Sequence, residues 1–142
     1  MKALLVTLIA CLGISCSSPF YMNIKGYEVL HEDLDTAWKK VSACTWEKEN
    51  GGYVKSPLEF FKTKKGDCTD FTIALMYLLG SESKFICINT PEGKHNIVLY
   101  DNKYIEPQKY GKYYDEKKLN INGILDYNTA MEWATNKGTK SL

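Results

Sequence analysis

The chain has 142 residues, 44% of them hydrophobic and 25% charged, with 10 tyrosines. This is the composition of one modest globular domain. Lysine and arginine number 18 against 17 aspartates and glutamates, which argues against a polyanion partner such as nucleic acid. Two histidines, with no C-x-x-C or H-x-x-x-H spacing, predict no dedicated metal site and no metal cofactor.

In chain order, the first element is a segment to be removed or anchored. Lys2 precedes "ALLVTLIACLGIS" (Ala3–Ser15), an uninterrupted run of apolar and small residues. A bilayer span needs about 20 residues, so the run suits a secretory h-region over residues 1–15. Cysteines stand at Cys11 and Cys16. A cysteine closing an h-region resembles the lipobox of bacterial lipoproteins, which implies an exported protein held in the cell envelope by lipid on Cys16. Lipidation at Cys11 and simple cleavage are the alternatives. Residues 16–30 are expected to be a tether and 31–142 the folded domain.

Helical spacing runs from about His31 to Trp46, with Leu34, Ala37, Trp38 and Val41 on one face and Asp33 or Asp35 near its N-cap. His31 lies in the charged "HEDLD" and reads as a surface residue. Ser56-Pro57 opens a short helix, a capping serine followed by proline at the first helical position, and Gly66 is expected to stop it. Asp67 caps a third helix, Cys68–Leu79, whose Phe71, Ala74, Leu75, Leu78 and Leu79 form a buried stripe. Gly80 ends it. Strands follow in "KFICINT" (Lys84–Thr90), "HNIVLY" (His95–Tyr100) and "KYIEP" (Lys103–Pro107), with turns at Pro91–Lys94 and Asp101-Asn102. "NINGIL" reads as a weak strand or turn. A last helix is expected over about Asn128–Asn136. Helices followed by strands predict an α+β fold with a small antiparallel sheet.

Cys44, Cys68 and Cys87 remain after the leader. An odd count in an exported chain suggests a free reactive thiol. Either Cys44 pairs with Cys87, or both are small buried apolar residues. Cys68 opens a helix, where unpaired amides and the macrodipole favour an anion. The position therefore suits a thiolate nucleophile beside N–H groups able to hold an oxyanion. His95 can accept the thiol proton and return it to a leaving group. Glu106 lies about two residues from His95 across the Asp101-Asn102 hairpin, within diagonal reach to orient the imidazole.

The order "GDCTDFTIALMYLL", "KHNIVLY", "YIEPQ" resembles the transglutaminase-like cysteine peptidase group of the papain-like superfamily. The match spans about Lys64–Gln108, roughly a third of the chain. The resemblance implies a papain-like α+β core with the cysteine helix packed on the sheet. It also implies Cys68 as nucleophile, His95 as general base and acid, and Glu106 as orienting acid in place of the family's usual aspartate. Asn96, after the histidine, departs from the small or aromatic residue common there. The family's oxyanion-hole side chain has no motif here: Trp46 and Tyr53 are candidates by position, Gln108 by proximity to Glu106. The implied activity is hydrolysis or acyl transfer on a peptide, isopeptide or side-chain amide through a thioester, without cofactor. Its partner is a peptide, protein or cell-wall substrate. The alternative is a surface lipoprotein that binds a peptide or glycan with no turnover.

Overall fold

The computed structural model describes residues 20–22, 28–48 and 52–136. The expected leader 1–15, Cys11 and Cys16 lie outside the described residues. Among the described residues, four helices and one main sheet make an α+β fold. The backbone of β1 (Phe20–Met22) pairs antiparallel with that of β2 (Glu28–Leu30), within the stretch expected to be a tether. Then come α1 (Leu34–Ser42), β3 (Thr45–Trp46), α2 (Pro57–Thr63), β4 (Lys65–Gly66) and α3 (Cys68–Leu79). The sheet strands are β5 (Lys84–Thr90), β6 (Gly93–Tyr100), β7 (Lys103–Ile105), β8 (Tyr113–Tyr114) and β9 (Asn120–Leu125). A 3₁₀ turn (Glu116–Lys118) precedes β9, and α4 (Tyr127–Thr135) closes the described chain.

The helices begin where side chains satisfy their open amides. Asp33 Oδ1 accepts from Thr36 N at 3.0 Å, Ser56 Oγ from Glu59 N at 3.2 Å, and Asp126 Oδ1 from Thr129 N at 2.8 Å. Every residue of α3 except Cys68 and Tyr77 is buried. The helix touches β5 and β6 on one side and α1, α2 and α4 around the rest. Phe71 meets Phe60 of α2 edge-on, ring centroids 5.0 Å apart, and Phe60, Leu75, Met76, Phe85 and Val98 join it in the main core. Full burial of each such side chain contributes about 1.5–3 kcal/mol, so the helix that carries Cys68 is the most firmly packed element.

The five-stranded sheet has the order β8-β7-β6-β5-β9, all antiparallel. Asp101 and Asn102 both take positive φ, 50° and 57°, the type I′ geometry that matches strand twist. The far face carries a smaller cluster of Ile86, Ile88, Ile97 and Tyr104.

Several expectations are corrected. The first helix is shorter than His31–Trp46, because Ala43 ends it and Thr45–Trp46 pair in parallel with Lys65–Gly66. Lys64, at φ 55°, ends α2, not Gly66. Gly66 serves a different purpose: a Cβ there would stand 2.6 Å from Asp70 Cβ and 3.0 Å from the Phe60 ring. Gly66→Ala is therefore expected to lower stability by about 1–3 kcal/mol, read as a drop in the denaturant midpoint. His31 is buried, with 6% of its surface exposed, because its ring fills the space that any Cβ on Gly80 would occupy. Burial pushes its imidazole pKa down. The second strand starts at Gly93, so the turn is Pro91-Glu92 alone. Cys44, Cys68 and Cys87 are all free thiols, and no Cys44–Cys87 bridge forms.

Candidate active site

Cys68 is the first residue of α3, half-buried at its open end. The two aspartates beside it form a reciprocal cap. Asp67 Oδ1 accepts from Thr69 N at 2.9 Å and Asp70 N at 3.2 Å, while Asp70 Oδ2 accepts from Asp67 N at 3.0 Å. Asp70 Oδ1 also takes Lys55 N at 2.9 Å, and Phe71 N bonds Asp67 O at 3.0 Å. These bonds consume the first-turn amides on either side of the thiol and leave out that of Cys68 itself. The carboxylates thus serve the backbone cap, and among the described residues no acceptor takes the Cys68 N–H beside its own sulfur.

β6 brings His95 to this mouth. The register Val98↔Ile105 sets Glu106 one step past the last paired residue of β7, opposite Ile97 and two residues from His95. His95 Nε2 and Glu106 Oε2 are 2.7 Å apart, so the diagonal reach expected from the hairpin is realised. With Nε2 occupied, Nδ1 is the ring nitrogen left for the thiol. Glu106 is 5% exposed and held on every side. Tyr114 Oη donates to Oε2 at 2.6 Å, Gln108 N to Oε1 at 3.1 Å, and Trp38 Nε1 to the backbone carbonyl at 2.7 Å. Trp38 is itself fixed by edge contacts with Tyr110 and Tyr113.

The electrostatics follow from these contacts. Burial pulls the His95 imidazole down, but the Cys68 thiol and the Glu106 carboxylate more than offset it, and its pKa is pushed up to about 9. Burial alone raises the Glu106 carboxyl, yet the bonds from His95 and Tyr114 hold it below its ordinary value. Burial, then the neighbouring carboxylate, raises the Tyr114 phenol. Site and base therefore favour an imidazolium paired with a carboxylate at neutral pH.

Tyr114 carries no motif, since β8 is two residues long and its partner lies eight residues back. Tyr114→Phe leaves a buried carboxylate short of one donor, at an expected cost of about 1–3 kcal/mol at neutral pH. The sign follows from the depressed Glu106 pKa: stability from its charged form is present above the unfolded value and lost as pH falls through the folded one. The difference between wild type and Tyr114→Phe in urea unfolding should accordingly shrink in acid.

Asn96 is the contact that sequence patterning missed. Its Nδ2 lies 3.6 Å from Cys68 Sγ and 2.9 Å from Thr69 Oγ1. The three oxyanion candidates sit differently. Trp46 pairs its backbone with Gly66, two residues before the thiol, and is 55% exposed. The Tyr53 hydroxyl donates to Glu59 Oε2 at 2.7 Å, and Tyr53 lines a recess with Asp67 and Asp70. Gln108 contributes its backbone amide to Glu106. No family model, curated protein or solved structure matches this chain.

Proposed function

We propose that the chain is an exported cysteine hydrolase or acyltransferase of transglutaminase-like, papain-like architecture, anchored to the cell envelope through Cys16. The observation that carries the activity is the order Cys68, His95, Glu106 at one helix mouth, with His95 Nε2 bonded to a buried carboxylate at 2.7 Å and Nδ1 left for the sulfur. The apolar run Ala3–Ser15 and the cysteine that follows it support export and lipidation.

In the proposed reaction the Cys68 thiolate attacks the carbonyl carbon of an amide, and the carbonyl electrons move onto oxygen. The Cys68 N–H is one donor for that oxyanion, and Trp46, whose backbone pairs with Gly66, is the candidate side chain for a second. Collapse of the intermediate breaks the C–N bond. His95 Nδ1 delivers its proton to the leaving amine, leaving a neutral imidazole and a thioester on Cys68. The imidazole then takes a proton from water or from a second amine as that nucleophile attacks the thioester. Water gives the acid; an amine gives a new amide. Glu106 keeps the ring oriented and stabilises its cation throughout.

The test is intact-protein mass spectrometry after incubation with glutamine-containing peptides, isopeptides and cell-wall peptide fragments. The expected result is a mass increment, mapped to Cys68, equal to the acyl half of one substrate and absent from Cys68→Ala. Absence of an adduct across all three substrate classes contradicts the proposal.

A further inference from the structure

We infer that Asn96 is a fourth member of the site, a side-chain amide that holds the Cys68 sulfur by hydrogen bonding; this rests on the thiolate-nucleophile reading above. Asn96 lies in β6 directly opposite Cys87 of β5, at the interface where Phe85, Cys87 and Val98 pack in the main core. A β-branched or aromatic side chain is the expected occupant of such a strand position. A half-buried amide there is costly unless its hydrogens find acceptors. Asn96 finds two, both on the first turn of α3: Thr69 Oγ1 at 2.9 Å and Cys68 Sγ at 3.6 Å.

The chemistry of the pair fixes the direction of the bond. A thiolate only accepts and an amide nitrogen only donates, so the nitrogen must face the sulfur when it is charged. Thr69 is the anchor, since its hydroxyl takes the other amide hydrogen and keeps the group turned toward its neighbour. The donor adds partial positive charge at a sulfur flanked in sequence by Asp67 and Asp70. It also occupies one direction around Sγ, leaving the remaining lone pairs for substrate and for His95. Once the thioester forms, the sulfur loses its charge and the bond weakens, so the contact favours the resting thiolate over the acylated form.

The experiment is the rate of iodoacetamide alkylation of Cys68 across pH, resolved by peptide mass spectrometry so that Cys44 and Cys87 are scored separately. It compares wild type with Asn96→Ala, Thr69→Val and Thr69→Ser. A hydrogen bond to a charged group predicts that Asn96→Ala slows Cys68 alkylation about tenfold on the acid side of the profile. The profile should move to higher pH while Cys44 is unchanged. Thr69→Val removes only the anchor and should give a smaller shift in the same direction; Thr69→Ser should restore wild-type behaviour. An Asn96→Ala profile superimposable on wild type, with only the unfolding midpoint altered, overturns the inference and leaves Asn96 a packing residue. If Asn96→Ala does not fold, coincident Thr69→Val and wild-type profiles overturn it equally. The alkylation readout needs no substrate. A protein that forms no acyl-enzyme but still shows the Asn96 shift therefore refutes the hydrolase reading alone. One that turns over but shows no shift refutes the Asn96 inference alone.

Discussion

Cys68→Ala is expected to abolish amide turnover while leaving the fold intact. Loss of a covalent nucleophile costs about 10⁴-fold or more, because no other group can form the acyl intermediate. The fold should survive. Cys68 is half-buried at the end of α3, outside the core cluster that holds the rest of the helix, and alanine is the best helix former. The unfolding free energy should fall by about 1–3 kcal/mol at most, the cost of taking the sulfur away from the His95 and Asn96 side chains that it partners. The contrast between the two readouts separates a nucleophile from a structural cysteine such as Cys87, which is 4% exposed within the core. Truncating Cys87 should lower stability and spare the chemistry.

The second large effect is on pH. The proposed cycle needs the imidazolium to protonate the leaving amine, and the His95 pKa is pushed up to about 9. The rate kcat/KM should therefore fall as pH rises through about 9. Glu106→Gln keeps the side chain's shape and removes its charge, which is one of the influences that raise His95. The alkaline limb should move down toward the ordinary histidine range, and kcat/KM at neutral pH should fall by about 10²-fold or more. Stability follows the same sign. A raised folded pKa gives stabilisation that is complete below the ordinary histidine value, about 6.5, and is lost as pH rises through the folded value. The melting temperature of wild type should thus decline between these limits, and that of Glu106→Gln should decline less, because the Cys68 contact that also raises His95 remains.

Much of the site's scaffold was legible in the residues because local chemistry fixes it. Asp67 followed by a long apolar stripe defines α3 from Cys68 to Leu79, and Asp101-Asn102 defines the turn whose register brings Glu106 to His95. What escaped notice depends on contacts between elements. His31 sits among charged neighbours that look solvated, yet it is the ring that closes over Gly80. Tyr114 belongs to a strand too short for any periodic signal, and it reaches Glu106 only because the chain from Pro107 folds back so that Glu106 N bonds Lys112 O at 3.0 Å. Trp38 reads as a core residue of α1, and it is one, but its indole N–H also pins the Glu106 carbonyl. Asn96 looked like a minor departure beside His95. Its meaning comes from the depth at which β6 packs against the first turn of α3, a distance no strand pattern encodes.

The most direct test of an activated nucleophile uses the molecule's own thiols as references. Burial pushes the Cys44 thiol up, with Lys64 only partly opposing it, and Cys87 is shielded in the core. Limiting iodoacetamide at neutral pH, followed by peptide mass spectrometry, should label Cys68 first and by a wide margin. His95→Ala should narrow that margin, leaving what the burial of Cys44 and Cys87 and the Asn96 contact contribute. Labelling of Cys68 no faster than that of Cys44, or a margin undiminished by His95→Ala, contradicts the account.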